Sequence, residues 1–344
     1  MVRSHGPRDW DAAGFAYIAA GGRTESANRL IPPPARVPRK LKADFLLICC
    51  TMIWGATFVL VKDALTNASV FVFLALRFVL ATFVLILMYG RELRTVRASG
   101  LRAGALIGCC MFGGYAFQTA GLALTTPSKA AFITGFFVVL VPLLLALFGS
   151  RRVPLWVWFG ALAAFAGLYF LAVPASGLAA LNRGDLLILA CAFMFALHVI
   201  GIGHYTVRYS AGALTLIQVA ITALFTILCV PFFAWIGAEQ PRVVWTPGLI
   251  LAVIATGVFA TAVAFSLQVW AQQYTSANHA AIIFTLEPVF AGLTSFLFYH
   301  ERLGRRSLAG AALILGGILV AELLGPAPAA EASVPPAETI QHST

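Results

Sequence analysis

Residues 115–135 read YAFQTAGLALTTPSKAAFITG and residues 265–285 read FSLQVWAQQYTSANHAAIIFT, one pattern met twice at a displacement of 150 positions. Gln118, Thr125, Ala130, Ala131 and Ile133 fall on Gln268, Thr275, Ala280, Ala281 and Ile283. Further on, Leu143, Leu147, Phe148, Arg152, Gly160, Ala161 and Gly167 meet Leu293, Leu297, Phe298, Arg302, Gly310, Ala311 and Gly317. Self-similarity at a fixed offset marks a duplicated structural unit. The preceding part of the chain repeats at an offset of 141, pairing Asp44 with Asp185, Cys50 with Cys191, Trp54 with Phe195, Gly55 with Ala196 and Arg77 with Gln218. The change of offset fits a single loop that differs in length between the copies.

Composition says what kind of unit is duplicated. The chain is 60% hydrophobic and 10% charged, against about 25% charged for an ordinary soluble domain. A helix crosses the hydrocarbon core with about 20 apolar residues. Ten such runs are present, at 43–62, 70–89, 103–123, 130–149, 154–173, 185–204, 213–235, 248–269, 279–299 and 307–324. Each is continuously apolar and far longer than the alternating segments of about ten residues that build transmembrane barrels. The expected fold is therefore all-α and integral to the membrane, with ten transmembrane helices. Residues 1–42, with eight Lys or Arg and a run of prolines at 32–34, and residues 325–344, rich in Pro and Ala, read as disordered tails.

The repeat divides the ten runs into two five-helix units, 43–175 and 184–324. Five is odd, so the second unit enters from the opposite side of the membrane, and the halves are related by a pseudo-two-fold axis in its plane. Inverted halves can each adopt the conformation of the other, which is the basis of alternating access.

The net charge of +10 reports topology rather than nucleic-acid binding, because the basic residues cluster in the tail and in loops beside the spans. With the tail inside, Arg91, Arg94, Arg97, Arg102, Arg151 and Arg152 are also inside, as the positive-inside rule asks. Arg302, Arg305 and Arg306 break it, falling in a loop that ten spans place outside. All six cysteines lie within apolar runs, so no disulfide or metal framework is expected, and no cofactor is called for.

Charged and polar residues inside the spans are the candidates for function. Arg77 lies about 10 Å into its span at 1.5 Å per residue; it suits a counter-charge for an anionic substrate or a pin between helices. Glu287 precedes Pro288, which frees the carbonyl of Phe284 and kinks the helix. Its carboxyl is a candidate proton acceptor, partner for Arg77 or partner for a substrate amine, with a neutral packing role as the plain alternative. Pro142 kinks the first copy one turn later than the matching point. Trp54 and Phe195 occupy matched midplane positions, with His198 three residues after Phe195, and Gln218 stands where the first copy has Arg77. These six residues, Trp54, Arg77, Phe195, His198, Gln218 and Glu287, form the expected substrate site. Gln118 and Gln268, near the ends of their spans and carried by inversion toward opposite faces, suit gates, with Tyr115 sharing the face of Gln118. The four glycines 160, 167, 310 and 317 suit close helix packing.

Ile53-Trp54-Gly55-Ala56-Thr57-Phe58, the Arg77-Phe78 step, Ala130-Ala131-Phe132-Ile133, and Leu286-Glu287-Pro288-Val289 followed by Glu301-Arg302-Leu303 resemble EamA-type permeases of the drug/metabolite transporter superfamily. The resemblance covers about 43–324. It implies a ten-helix inverted repeat in the cell membrane with both termini cytoplasmic, and export of a small metabolite, often an amino acid or related compound. This chain departs from the pattern at Arg151, which takes the place matching Glu301.

A carrier coupled to protons is the expected function, its partners a small-molecule substrate and the lipid bilayer, as a monomer or homodimer. A channel would want a charged ring or a carbonyl filter. An integral-membrane enzyme would want a catalytic cluster, and the sequence holds no HExxH, GxSxG or P-loop.

Overall fold

The computed structural model describes residues 37–125, 127–148, 153–172, 182–290, 293 and 304–324. The tails before 37 and after 324, the Arg151-Arg152 turn, and Glu301 and Arg302 lie outside the described residues. Within them the chain is helical: α1 Val37–Asn67, α2 Val70–Tyr89, α3 Ala98–Leu124, α4 Pro127–Gly135, α5 Phe137–Phe148, α6 Leu155–Ala172, α7 Arg183–Tyr205, α8 Ala211–Trp235, α9 Pro247–Ile254, a π-helical segment Ala255–Val263, α10 Ala264–Ala271, α11 Ala277–Phe284 and α12 Arg305–Leu323. Apart from one isolated bridge, Ala68 to Val243, there is no β-structure among the described residues.

Among the described residues, seven helical stretches are long and apolar enough to cross a membrane: Arg39–Asn67, Val70–Tyr89, Ala98–Leu124, Ala130–Phe148, Arg183–Tyr205, Ala211–Trp235 and Pro247–Ala271. Two shorter apolar helices, Leu155–Phe170 and Leu308–Val320, stand where two further runs are expected. The run 279–299 is described only as far as 290, and at 293. Large apolar side chains cover the outside of the bundle, among them Phe45, Phe83, Leu87, Phe159 and Trp235, as a lipid-facing surface requires. Helix α1 begins at Val37, inside the stretch expected to be tail. Pro38 in its first turn needs no N–H partner and is preset for helix.

Packing between the halves follows the repeat. α6 lies on α12, and these are matched to each other. α2 lies on α8, also matched to each other. α3 packs on α7, and the exchanged pair α1 on α10 packs likewise. Lipid offers no hydrophobic drive for helix association, so close backbone approach through small residues does the work. The α6–α12 contact is the clearest case: a Cβ on Gly167 would stand 2.6 Å from the Gly310 carbonyl oxygen, and one on Gly317 would stand 2.6 Å from that of Gly160. Gly167→Val is therefore expected to cost about 1–3 kcal/mol of stability through overpacking, read as a lower thermal midpoint of the solubilised protein; unchanged melting would mean the backbones are not in contact.

The loops fix the relative direction of the halves. Ser69 and Ser210 are matched residues, 141 apart. Ser69 precedes α2, where the Glu239 carboxylate accepts from the backbone N–H of Val70 (2.6 Å) and Phe71 (3.2 Å). Ser210 donates to the Glu92 carboxylate, just past the other end of α2. Matched points thus sit at opposite ends of one 20-residue helix, about 30 Å apart at 1.5 Å per residue. Arg306, one of the residues that run against the expected charge pattern, has its guanidinium carbon 5.2 Å from the ring centroid of Tyr169 and 5.5 Å from that of Phe170 at the end of α6, a cation–π contact.

Two helices depart from the expected continuous spans. The fourth is broken at Phe136, between α4 and α5, and the ninth is broken at Thr285-Leu286, after α11. Leu286 matches Phe136 in the repeat, so the breaks coincide. The asymmetry expected from Pro142 is not present at this point, because α5 runs through Pro142 and the chain breaks before it, next to Gly135. The eighth is π-helical in Ala255–Val263, whereas its counterpart in α3 is an ordinary α-helix.

Candidate functional site

A cavity of about 730 Å³, counting the space at its mouth, lies between the halves. Its walls carry Trp54, Arg77, Tyr115, Gln118, Phe195, His198, Gln268 and Glu287 from the expected set. They also carry residues that sequence reading passed over, chiefly Thr57, Phe58, Thr134, Phe137, Phe265 and Phe284. The repeat accounts for nearly all of them. Trp54 pairs with Phe195, Thr57 with His198, Phe58 with Val199, Tyr115 with Phe265, Gln118 with Gln268, Thr134 with Phe284 and Phe137 with Glu287, each at an offset of 141 or 150. Both members of every one of these pairs line the cavity. It therefore straddles the relation between the halves, while the chemistry facing across it differs.

Gln218 is the exception. It is fully buried behind the wall, its Oε1 2.9 Å from His198 Nε2, so it positions the imidazole and does not face the cavity. Tyr115, Gln118 and Gln268, expected toward the faces as gates, line the same cavity as the other candidates.

Arg77 is 4% exposed and held from several sides. Its Nε donates to Thr261 Oγ1 (2.8 Å) and its Nη2 to Tyr115 Oη (3.2 Å). The guanidinium carbon lies 4.4 Å from the centroid of the Tyr115 ring and 5.4 Å from that of Phe78. Thr261 in turn donates to the carbonyl of Thr256 (2.7 Å). The π-helical turn makes this possible, since its wider winding brings residues five apart into register. It also presents the Ala260 carbonyl to the Trp54 indole N–H at 2.8 Å. One residue of α2, one of α3 and one of the π segment are thus locked together, and Trp54 of α1 is locked to the same segment.

Glu287 follows the break in the ninth span. Among the described residues its carboxyl has no hydrogen-bond or ion-pair partner, and none links it to Arg77. The pairing of Glu287 with Arg77 offered as one alternative by the sequence is not made here; the guanidinium bonds instead to Thr261 and Tyr115. Glu287 shares the walls of the main cavity and of a smaller adjoining one with Phe58, Thr134, Phe137 and Phe284.

The cavity extends further toward one end: Val61, Thr119 and Leu122 line it, whereas their matches Ile202, Val269 and Gln272 do not. At the end it stops short of, Gln268 Nε2 donates to Gln272 Oε1 (2.9 Å) and Gln272 Nε2 to the Val199 carbonyl (3.0 Å). Gln272 matches Leu122, which cannot make such a chain. At the end it reaches, Lys62 Nζ donates instead to the carbonyls of Leu122 (2.6 Å) and Thr125 (3.2 Å), closing the end of α3.

Fold and site together define a helical membrane protein whose two similar halves enclose a cavity of mixed aromatic and polar lining. The model of the EamA-like transporter family matches residues 41–173 and again 182–323. A protein of Archaeoglobus fulgidus described as an uncharacterized transporter is 37% identical over 291 residues, 83% of this chain and 87% of that one. A second from the same organism, described alike, is 24% identical over 289 residues, 80% of this chain and 96% of its own length. A crystal structure at 23% sequence identity superposes with a TM-score of 0.67, covering 82% of this chain and 98% of that one, a likeness of fold. The chain belongs to the EamA-like transporter family. It is a multi-pass membrane protein, and the family implies a small-molecule substrate.

Proposed function

We propose that this protein is a secondary transporter that exports a small metabolite, such as an amino acid or related compound, across the cell membrane by alternating access. In this reading residues 43–175 and 184–324 form two inverted units of five membrane helices each, ten in all, with both termini in the cytoplasm. Trp54, Arg77, Phe195, His198 and Glu287 surround the substrate, Gln218 holds His198, and Tyr115, Gln118 and Gln268 border the path.

The observation that carries the reading is the lopsided cavity. It is built from matched positions of both halves, yet it extends to Val61, Thr119 and Leu122 and stops short of their matches Ile202, Val269 and Gln272. Exchange of the conformations of the halves moves that extension to the other end. The breaks at Phe136 and Leu286 place short helical segments beside the cavity, where irregular backbone inside a membrane is tolerated because it lines a polar space. Glu287 supplies a group that can carry a proton in exchange for substrate. The transporter description of the archaeal relatives agrees with a carrier rather than an enzyme.

The test is counterflow. Reconstituted protein in vesicles preloaded with unlabelled amino acids and amines should transiently accumulate labelled compound from outside at equal pH, and net uptake into unloaded vesicles should depend on a pH gradient. Absence of accumulation for every member of the panel, or recovery of chemically altered compounds, would overturn the reading.

A further inference from the structure

The two ends of the bundle hold one matched pair of residues in two different ways. At the end the cavity reaches, Thr125 Oγ1 donates to Asp185 Oδ1 at 2.6 Å, tying the residue after α3 to the first turn of α7. Asp44 matches Asp185 and Thr275 matches Thr125, so the repeat offers the same bond between α1 and the chain that follows α10. That bond is not made. Thr275 is as buried as Thr125, 7% exposed in each case, yet its Oγ1 has no partner among the described residues. A buried hydroxyl left so carries its desolvation cost uncompensated. The carboxylate of Asp44 is held instead by His279, with Nε2 3.1 Å from Oδ1; a ring N–H there donates whether the imidazole is neutral or charged. Thr275 lies in the same stretch of chain, because Arg39 sits over the Tyr274 ring (6.0 Å) and Lys42 over that of Trp270 (5.1 Å). These contacts set the first turns of α1 along residues 270–279.

Resting on the transport reading above, we propose that Asp44 is a positioning residue for the exchange between conformations. His279 holds it in the conformation described here, and Thr275 takes it when the cavity extends to the other end, as Thr125 releases Asp185. Inverted halves that swap conformations swap their contacts as well, so the bond present at one end is the bond the other end gains. A contact made in one conformation and not in the other is what biases the equilibrium between them.

The test uses the full-length chain in lipid vesicles, cysteine-free apart from Val269→Cys, with a membrane-impermeant thiol reagent on both sides. Val269 is buried here and matches Thr119 of the cavity wall, so its labelling rate reports the other conformation. Thr275→Val should lower that rate by about tenfold, the worth of one hydrogen bond to a carboxylate. Its thermal midpoint should stay at or above that of the parent, since no bond of this conformation is lost. Thr275→Ser should keep the parent rate. Thr125→Val and His279→Ala each remove a bond of this conformation and should raise the rate by about tenfold. A purely structural role shared by the matched threonines would not move it in opposite directions. Should Thr275→Val not fold, Thr275→Ala makes the same test. An unchanged rate, or shifts of the same sign for Thr275→Val and Thr125→Val, with counterflow intact, overturns the proposal and leaves the transport reading standing. Absence of both labelling at Val269→Cys and counterflow in the parent overturns the two together.

Discussion

Glu287→Gln is expected to lower pH-gradient-driven transport by about 100-fold, the effect of removing one partner of a desolvated charge interaction, while the protein still folds and inserts. Among the described residues the Glu287 carboxyl makes no hydrogen bond, so an isosteric amide removes no structural contact. What it removes is the ability to exchange a proton or a positive charge from the cavity wall. A residue whose only visible contacts are with a cavity should show itself in transport and not in melting. Counterflow at equal pH on both sides, compared with uptake under a gradient, makes the measurement. A variant that keeps gradient-driven transport at the wild-type rate would remove Glu287 from the mechanism.

The second large effect is expected at Arg77, and there magnitudes decide its form. Hydrogen bonds to a charged group contribute about 1.5–3 kcal/mol each, and Arg77 donates to Thr261 and Tyr115. Against this stands the cost of a cation at this depth, about 2.5–3.5 kcal/mol on insertion scales. Two such bonds outweigh that cost by up to about 3 kcal/mol, so Arg77→Ala should melt several degrees below wild type yet stay folded. Transport should nevertheless fall by about tenfold or more, because the tie that aligns α2, α3 and the π segment around the cavity is gone and catalysis of movement depends on that alignment. The loss should be alike for cationic, neutral and anionic compounds. A loss confined to anions would show that Arg77 binds substrate after all.

Much of this protein is legible in the sequence because duplication and hydropathy are both long-range signals. The offset of Gln118 to Gln268 and of Gly167 to Gly317 predicts which helices meet, and the glycines indeed bring α6 and α12 into backbone contact. Intramembrane polarity likewise points to Arg77, His198 and Glu287, all of which reach the cavity. Other features stay hidden for physical reasons. The π segment is invisible to hydropathy, since Ala255–Val263 is as apolar as an α-helix would be. The partner of Arg77, Thr261, is a threonine among several, and only the widened winding aims it inward. The break at Phe136 has no proline at it, so a reading based on Pro142 puts the kink a turn too late. Phe137 escapes notice because an aromatic in an apolar run carries no contrast, although it matches Glu287 and lines the same cavity.

The central claim is that matched positions of the halves face opposite sides of the membrane and take turns in opening. The direct measurement is side-specific labelling, in a cysteine-free background, of single cysteines at Thr119→Cys and Val269→Cys, which match in the repeat, using a membrane-impermeant thiol reagent applied to one face or the other. The account predicts that Thr119→Cys reacts only from the face bearing the Ser69 loop and Val269→Cys only from the opposite face, and that adding transported substrate raises one rate as it lowers the other. Labelling of both cysteines from the same face, or rates that rise and fall together, would contradict it.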